Sequence, residues 1–436
     1  MSAVELMGPD VRIRACGPLR GVVRVPGSKS LTNRYLLCTA LADGRSSLTD
    51  VSVCDDTQRM LAGLSALGIY AALHKDRRQI VVAGCRGYPP ADDVQIDAGE
   101  AGTAMRFLTA LCCLGFGRRR LDGAPRMRAR PLGGLVNALV NLGASIGYEG
   151  QPGYPPVTVL ARGLTGGTTD LHAPQSSQFL SAVLMVAPYA SQDVLVAARE
   201  TVPSRPYVDQ TVQVMHSLGV EVITSDGLRY VVPAFQRYQA GEYRIEPDAS
   251  AAGYFWTAAA LTGGEVRVAG LTRASRQGDV RFVDVLAEMG CEVGADASGL
   301  AVRGPATGRL RGVSVDMNEL PDAVPTLAVA ALFADGPTEI RNSAHLRVKE
   351  SDRLAMLAIE LRRLGATVEE WPDGLKIRPP TRITPTSVDS HGDHRLAMSL
   401  ALAGLVCEGL VVRAAGCVSK SCPEFFEILS DLCAQS

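Results

Sequence analysis

The 436-residue sequence lacks the features of a membrane, secreted or nucleic-acid-binding protein. No run of about 18 apolar residues occurs, and the first residues show no basic segment followed by an apolar one. The eleven cysteines include no Cys-x-x-Cys pair, which predicts mostly buried thiols instead of a disulfide framework or zinc site. His391 and His394 have no evident third partner, so we expect no metal. A formal net charge of -1 gives no general attraction to nucleic acid or anionic membranes, so we expect neither as a partner and we expect a cytoplasmic protein.

An internal repeat is the most informative feature that is present. Five times an amphipathic helical segment ends in Leu-Gly or Met-Gly and leads into an alternating strand, at Gly68, Gly143, Gly219, Gly290 and Gly365. Successive glycines are 75, 76, 71 and 75 residues apart. Each glycine is predicted to cap the C-terminus of its helix.

A second pattern fills the other half of each unit. Six apolar helical segments begin near Ser30, Gly102, Ser177, Ser250, Asp322 and Asp393. Because they are apolar nearly all round, they are predicted to be buried, whereas the helices that end in glycine are predicted to cover the outside. Six units of roughly 72 residues account for the chain. We therefore predict an α/β protein of two domains, each with three units whose sheets surround buried helices.

Basic side chains recur at the starts of the buried helices. Lys29 and Arg34 flank Ser30 in the first of them, and Arg106 and Arg395 hold similar positions in two others. A cation there opposes the helix dipole, typically by a few tenths to about 1 kcal/mol. Taken singly, such a residue is explained by a side chain that reaches solvent or pairs with a neighbouring carboxylate. Three equivalent cases indicate that bound anions complete these sites.

Further basic residues form three clusters: Arg126, Arg128 and Arg130; Arg347, Lys349 and Arg353; and Lys420. The first cluster is predicted to lie in an exposed connection before a helix. Lys349 and Arg353 are four residues apart and are predicted to share one helix face beside Glu350.

Neutral hydrogen-bonding groups also precede helices, at Ser176, Ser177, Gln178, Ser204 and Tyr207. Their simplest role, taken alone, is capping and turn formation, and Asp322 is likewise expected to be an N-cap. The residues by themselves predict a two-domain enzyme that binds at least two anionic groups, and they leave its reaction open.

Seven motifs give the chain a specific resemblance: PGSKSLTNR (26–34), GEAGTAMR (99–106), PRMRARP (125–131), SSQFL (176–180), LPDA (320–323), RVKESDR (347–353) and GDHR (392–395). With these motifs in the family's order, the chain resembles the 5-enolpyruvylshikimate-3-phosphate synthase family over essentially its whole length. The resemblance implies two inside-out α/β domains, each of three βαβαββ repeats (six in all), hinged around a central cleft. It implies a continuous domain at 27–246 and a discontinuous one at 1–26 plus 247–436.

The resemblance also implies two sets of substrate-binding residues. Those for shikimate 3-phosphate are Lys29, Ser30, Arg34, Ser176, Ser177, Gln178, Ser204, Tyr207, Asp322, His345 and Lys349. Those for phosphoenolpyruvate are Lys29, Gly102, Arg130, Gln178, Arg353, Arg395 and Lys420. Planar guanidinium groups suit the carboxylate and phosphate of phosphoenolpyruvate.

The implied reaction is addition followed by elimination. Asp322 would take the proton from the 5-hydroxyl of shikimate 3-phosphate. Glu350, Lys29 and His394 are candidates for protonating the methylene carbon of phosphoenolpyruvate, and loss of phosphate from a tetrahedral ketal phosphate would form the enol ether. The family resemblance implies no metal or organic cofactor, and we expect a monomer.

The sequence departs from the family pattern at several positions. Glu100 stands where Asn is usual, and His345 replaces an Asn that often contacts the shikimate ring. Residues 421–422 are Ser-Cys in place of Thr-Phe. Phe107 occupies a position where Pro is common, one helical turn beyond Gly102. We expect glyphosate to inhibit, because Gly102 leaves room for it.

Two other functions remain open. UDP-N-acetylglucosamine enolpyruvyl transferases share the fold and the donor, but they use a reactive Cys near the position of residues 125–131, and residues 114–290 contain no Cys. A non-catalytic scaffold that binds anions on the same repeats is disfavoured by the presence of Asp322, Lys29 and Glu350. Phosphate release with each acceptor separates the three.

Overall fold

The polypeptide folds into two compact units. A computed structural model describes residues 3–171, 176–198, 202–224 and 227–436. Unit 1 comprises Met1–Pro26 and Glu246–Ser436, and unit 2 comprises Gly27–Ile245.

The helices of unit 2 are α1 (Lys29–Leu41), α2 (Asp55–Ala66), α3 (Gly102–Leu111), α4 (Pro125–Arg128), α5 (Gly133–Asn141), α6 (Ser177–Val186) and α7 (Pro206–Ser217). Those of unit 1 are α8 (Ala249–Thr262), α9 (Phe282–Glu288), α10 (Val324–Ala330), α11 (Arg353–Arg363), α12 (His394–Gly404) and α13 (Phe425–Ala434).

The first strands belong to unit 1 and are β1 (Val4–Met7), β2 (Asp10–Ile13) and β3 (Arg20–Val23). In unit 2 they are β4 (Arg45–Thr49), β5 (Ala71–His74), β6 (Gln79–Ala83), β7 (Asp93–Asp97), β8 (Gly117–Asp122), β9 (Ser145–Tyr148), β10 (Val157–Ala161), β11 (Gly167–Leu171), β12 (Val194–Ala198), β13 (Ile223–Thr224), β14 (Arg229–Val232) and β15 (Glu242–Arg244). The remaining strands of unit 1 are β16 (Glu265–Ala269), β17 (Glu292–Asp296), β18 (Gly299–Arg303), β19 (Leu310–Arg311), β20 (Ser314–Asp316), β21 (Ala334–Asp335), β22 (Thr338–Arg341), β23 (Thr367–Trp371), β24 (Gly374–Arg378), β25 (Ser387–Asp389) and β26 (Leu410–Arg413).

The sheets repeat one pattern. Among the described residues, unit 2 contains the four-stranded sheets β15-β4-β6-β5, β7-β8-β10-β9 and β11-β12-β14-β13. Unit 1 contains β1-β2-β26-β25, β17-β18-β16-β3 and β20-β22-β24-β23, with a short ladder of β19 and β21. Each four-stranded sheet has one parallel pair and two antiparallel pairs, as in the parallel β7–β8 and antiparallel β8–β10 and β10–β9. The predicted α/β fold with three repeats in each unit is confirmed.

The helices differ in burial as their sequences predict. Every residue of α3, α10 and α12 is buried, whereas α2 buries five of its twelve residues. Each unit has its own hydrophobic core around the buried helices. The glycines that follow α2, α5, α7, α9 and α11 have φ between +77° and +102°, a conformation that side chains disfavour, and the predicted C-caps are confirmed.

The eleven cysteines are free thiols, and seven of them are buried, as predicted. Within the described ranges, no helix has the length and apolar character needed to cross a bilayer. The same residues contain no group of three His, Cys, Asp or Glu side chains that could hold a metal ion.

Candidate active site

Lys29 begins the first buried helix of unit 2. Ser28 caps α1 by accepting the N–H of Leu31 at 3.4 Å, which leaves the Lys29 side chain beside the helix start. The Nζ of Lys29 lies 2.9 Å from Asp56 Oδ2, and these side chains are 12% and 4% exposed. The charge of this cation is therefore balanced in part by a carboxylate of unit 2 itself, a partner that the sequence analysis did not identify.

Arg34, on the same helix, is 2% exposed, and its acceptors among the described residues are all neutral oxygens. Its acceptors are Thr211 Oγ1 at 2.7 Å, Ser181 Oγ at 3.5 Å and the backbone carbonyls of Ser30 at 3.0 Å and Tyr207 at 2.9 Å. Its guanidinium also lies 5.5 Å from the centroid of the buried Phe107 ring. Burial lowers the pKa of Arg34 to about 10, so the group stays charged at neutral pH. Arg34 thus ties α1 to α6 and α7.

Gly102, Arg106 and Arg130 lie together at the start of α3. Arg106 is 3% exposed and donates to the carbonyls of Gly102 at 3.2 Å and Pro131 at 3.0 Å. A Cβ on Gly102 would lie 2.8 Å from Arg130 Nη2 and 2.9 Å from Arg106 Nη1. Glycine is therefore what allows two guanidinium groups to approach the backbone of this helix start.

The predicted exposed connection at residues 126–130 is only partly exposed. α4 interrupts it, and Arg128 is exposed and donates to both oxygens of Asp122 at 2.8 and 2.7 Å. Arg130 is 6% exposed, because the short helix turns the chain inward. The prediction of exposure was wrong for Arg130.

The neutral residues of unit 2 lie at the starts of α6 and α7. Ser176 caps α6 and accepts the N–H of Gln178 at 3.2 Å, as its simplest role predicts. The amide of Gln178 donates to Thr103 Oγ1 at 3.2 Å and so joins the start of α6 to that of α3. Ser177, the first residue of α6, is buried. These contacts place Gln178 beside Gly102.

Ser204 lies just before α7, and Tyr207 is the second residue of that helix. Ser204 is buried with φ of +58°, a conformation that is uncommon outside glycine, and its carbonyl accepts the N–H of Tyr207 at 3.0 Å. The carbonyl of Tyr207 in turn accepts from Arg34. The backbone of Ser204 is therefore fixed in a position that sequence propensity does not favour.

In unit 1, Arg353 is the centre of a buried charged network. It is the first residue of α11, 1% exposed, and donates to Asp393 at 2.8 Å, Glu350 at 2.9 Å and Asp322 at 3.2 Å. Burial lowers the pKa of Arg353, but the three carboxylates outweigh it and the pKa is raised overall. Ser351 Oγ donates to Asp393 at 3.2 Å. The arginine is permanently charged and firmly held.

Asp322 joins Arg353 to a second arginine. Arg395 donates to Asp322 and, at 3.3 Å, to the hydroxyl of Tyr254. Asp322 lies in the 3₁₀ turn Pro321–Ala323 and caps no helix, so the N-cap expectation was wrong. The guanidinium groups of Arg353 and Arg395 donate to its carboxylate instead.

The side chain of Asp322 is 21% exposed, against 10% for Glu350 and 0% for Asp393. Asp322 is therefore the carboxylate of this network that a ligand reaches most readily.

Lys420 and Lys349 complete the basic side of unit 1. Lys420 Nζ lies 4.0 Å from Glu350 Oε1, and its side chain is 8% exposed. Lys349 has extended backbone after the 3₁₀ turn Ala344–Val348, and Asp352 caps α11 three residues later. Lys349 and Arg353 therefore do not share a helix face, and that prediction was wrong.

The two histidines predicted for the site differ in environment. His345 is buried, and burial, together with the positive charge of Lys349, lowers its pKa to about 3, so it is neutral at neutral pH. His394 begins α12, and its side chain is 1% exposed with Nδ1 3.8 Å from Asp393 Oδ1. Both lie beside the charged network of unit 1.

The sequence analysis did not identify three residues that contact the predicted site residues. Asp56 resembles any acidic residue in the first turn of an outer helix. Asp393 was recognised only as the start of a repeat, and Tyr254 only as part of an apolar helix. The GDHR motif was the available signal for Asp393, whereas nothing in the local sequence distinguishes Asp56 or Tyr254.

Known proteins resemble this chain over nearly its whole length. The family model described as EPSP synthase (3-phosphoshikimate 1-carboxyvinyltransferase) matches residues 13–429. A 3-phosphoshikimate 1-carboxyvinyltransferase of Nostoc sp. is 46% identical over 409 residues, which cover 94% of this chain and 96% of the relative. One of Aliivibrio fischeri is 43% identical over 425 residues, covering 97% and 99%.

A solved structure of EPSP synthase from Acinetobacter baumannii has the same fold. It superposes with a TM-score of 0.79 at 24% identity and covers 97% of this chain and 98% of that one. The match of the family model over almost the whole length, with relatives above 40% identity, decides the classification. The chain belongs to the EPSP synthase (3-phosphoshikimate 1-carboxyvinyltransferase) family.

Proposed function

We propose that this protein transfers the carboxyvinyl group of phosphoenolpyruvate to the 5-hydroxyl of shikimate 3-phosphate and releases phosphate. The observation that carries the proposal is the Asp322 carboxylate, the most exposed of the three in its network and held between Arg353 and Arg395. A general base needs an accessible carboxylate in fixed orientation, and two guanidinium groups supply the orientation.

In the proposed first step, Asp322 takes the proton of the 5-hydroxyl while that oxygen bonds to C2 of phosphoenolpyruvate. An acid adds a proton to the methylene carbon, and the product is a tetrahedral ketal phosphate. Glu350, Lys29 and His394 are the proposed acids. In the second step the C–O bond to phosphate breaks and the methyl carbon returns a proton, which leaves the enol ether. The leaving group is already part of phosphoenolpyruvate, so the proposal requires no cofactor.

Three of the proposed ligands of phosphoenolpyruvate are arginines that contacts within the protein hold in place. Arg353 and Arg395 are fixed by carboxylates, and Arg130 lies against Gly102. Groups fixed beforehand stabilise developing charge without reorganisation. The other proposed ligands of phosphoenolpyruvate are Lys29, Gly102, Gln178 and Lys420. For shikimate 3-phosphate they are Lys29, Ser30, Arg34, Ser176, Ser177, Gln178, Ser204, Tyr207, Asp322, His345 and Lys349.

Phosphate release tests the proposed reaction directly. The purified protein is incubated with phosphoenolpyruvate and either shikimate 3-phosphate or UDP-N-acetylglucosamine. We expect release with the shikimate compound alone, and mass spectrometry should find the carboxyvinyl ether in the same tube. Release with the UDP sugar alone would show that UDP-N-acetylglucosamine is the acceptor. Release with neither compound would support a non-catalytic scaffold that binds anions.

Inhibition by glyphosate is part of the proposal. Phe107 is fully buried, and its ring centroid lies 5.5 Å from the Arg34 guanidinium carbon inside unit 2. We expect inhibition that weakens as phosphoenolpyruvate is raised. Undiminished activity in millimolar glyphosate at limiting phosphoenolpyruvate contradicts it. The monomeric state and cytoplasmic location stay predictions, and light scattering after gel filtration tests the former.

A further inference from the structure

The turn between β25 and α12 has an unusual backbone. His391 has φ of +52° and Gly392 has φ of +68°. The left-handed conformation is disfavoured for a residue with a Cβ, and it persists where the surrounding structure holds it. Asp393, Arg395 and the rest of the α12 start follow directly, so the conformation of this turn determines where they lie.

Glu360, on α11, holds this backbone conformation in place. Its side chain is fully buried, and its Oε1 lies 2.8 Å from His391 Nε2. Its Oε2 accepts the backbone N–H of Asp389 at 3.1 Å, and the largely exposed Arg363 lies 3.4 Å away. A carboxylate is buried at low cost only when it is paired and hydrogen-bonded, so these contacts couple the position of Glu360 to that of the turn.

α11 contacts residues at both ends of this turn. Arg353, the first residue of the helix, donates to Asp393 at 2.8 Å. Glu360 is seven residues further on, about 10 Å along the helix axis, and holds Asp389 and His391. Asp393 then accepts the backbone N–H of Arg395 at 2.9 Å. A single helix therefore fixes the turn before and after its left-handed residues.

We propose that Glu360, acting through His391, is a positioning residue for Asp393 and Arg395. It fixes the start of α12 relative to α11, and with it the separation of the Arg395 and Arg353 guanidinium groups. Because those arginines are proposed ligands of phosphoenolpyruvate, the inference rests on the proposed function. Neither Glu360 nor His391 belongs to the residue set predicted from the family resemblance.

Two substitutions test the contact: Glu360→Gln weakens it and His391→Asn removes it. Glu360→Gln keeps the shape of the side chain and removes its charge. His391→Asn keeps a residue that tolerates left-handed backbone, but its side chain is too short to reach Glu360 as the imidazole does. Arg363→Gln is the matched control, since it removes the exposed partner of the same carboxylate and leaves the turn untouched.

We expect Glu360→Gln and His391→Asn to raise the KM for phosphoenolpyruvate about tenfold, the range expected when a hydrogen bond to a charged group is lost. The KM for shikimate 3-phosphate should change less than about twofold, because most of its proposed ligands lie on α1, α6 and α7 and their approaches. Arg363→Gln should change neither. Equal changes in both KM values, or a lower Tm with both unchanged, would give Glu360 a purely structural role and overturn the proposal.

Hydrogen exchange provides a readout that needs no turnover. In Glu360→Gln and His391→Asn, the amides of residues 395–398 should exchange at least about tenfold faster than in the unsubstituted protein and in Arg363→Gln. Unchanged exchange overturns the inference whether or not the enzyme is active. If the unsubstituted protein releases no phosphate, the proposed function fails, while the exchange result still decides whether Glu360 holds the start of α12.

Discussion

The two units compensate a buried arginine in different ways. In unit 1, Arg353 donates to the carboxylates of Asp393, Glu350 and Asp322. In unit 2, Arg34 is almost as buried but donates to hydroxyl and carbonyl oxygens, and no carboxylate pairs with it among the residues described. The pKa values follow: burial lowers that of Arg34 to about 10, whereas the three carboxylates overcome the effect of burial and raise that of Arg353.

This difference has a consequence for anion binding. Dipolar acceptors satisfy the N–H groups of Arg34 but do not neutralise its charge. The charges of Arg353 and Arg395 are balanced by carboxylates, so an anion that binds there must share them with Asp322 and Glu350. We therefore expect an anion at Arg34 to compete less with carboxylates than an anion at Arg353 or Arg395 does.

The largest expected effect follows the loss of the Asp322 carboxylate, the proposed base in unit 1. Asp322→Asn should lower kcat by about 100-fold to 10,000-fold, the usual contribution of a positioned proton acceptor, while both substrates still bind. Phosphate release gives kcat, and calorimetric titration gives the two dissociation constants. Asp335→Asn is the control, because Asp335 is an exposed carboxylate of the same unit paired with Arg309. A kcat near that of the unsubstituted protein would remove Asp322 from the chemistry.

The second prediction compares the two arginines directly. Arg353→Met leaves the fully buried Asp393 without its main partner and should cost about 3–5 kcal/mol of unfolding free energy. Arg34→Met leaves neutral acceptors and should cost about 1–3 kcal/mol. Both tryptophans, Trp256 and Trp371, belong to unit 1, so fluorescence follows that unit in urea, while circular dichroism follows both.

The control for this pair is Arg303→Met, which removes an exposed arginine paired with Glu265 and Glu292 and should change little. If Arg34→Met proved as costly as Arg353→Met, the distinction between charge and dipole compensation would not hold.

The third prediction concerns the stability of the protein at acidic pH, and it depends on His345 in unit 1. Its folded pKa of about 3 lies below the unfolded value near 6.5, so the unfolded chain takes up the proton first. The contribution of His345 to stability is therefore complete above pH 6.5 and is lost as pH falls. Between pH 6.5 and 5 the loss should be about 1.5–2 kcal/mol.

His345→Asn should remove that part of the pH dependence, as measured by urea unfolding followed by tryptophan fluorescence at each pH. His74→Asn, at an exposed position of unit 2, should not change the fluorescence transition. The same pH dependence in His345→Asn and the unsubstituted protein would show that other groups account for it.

The repeat and the burial of its helices were predictable because both depend on local pattern. The glycines after α2, α5, α7, α9 and α11 marked helix ends at which only a positive φ continues the chain. Helices that are apolar all round have no face for solvent, and α3, α10 and α12 are buried as expected.

The contacts within the candidate site were less predictable, because they join residues far apart in sequence. Asp322 was expected to cap a helix, but Arg353 and Arg395 approach it from α11 and α12. Lys349 was placed on a helix that begins only after Asp352. Glu360 looks like any acidic residue of an amphipathic helix until the turn that it holds is known.

The smallest expected effect tests whether Arg106 and Arg130 of unit 2 are displaced more easily than the buried arginines of unit 1. A Cβ at residue 102 would come within 2.8–2.9 Å of Arg130 and Arg106 nitrogens, which lie at the ends of flexible side chains. Gly102→Ala should therefore displace them at little cost in Tm. The KM for phosphoenolpyruvate and the inhibition constant of glyphosate should both rise, by about tenfold or less, since one charge-assisted contact is worth about that much.

Gly147→Ala serves as the control for Gly102→Ala, because a Cβ there meets no atom within 4 Å. It should leave both constants unchanged, so that any effect at residue 102 is due to the displaced guanidinium groups. A large fall in Tm for Gly102→Ala would mean that Arg106 and Arg130 are held as rigidly as Arg353, and the contrast between the units would then be limited to Arg34. An unchanged KM with an unchanged Tm would instead show that Arg130 moves aside without consequence, and it would lose its place among the proposed ligands of phosphoenolpyruvate.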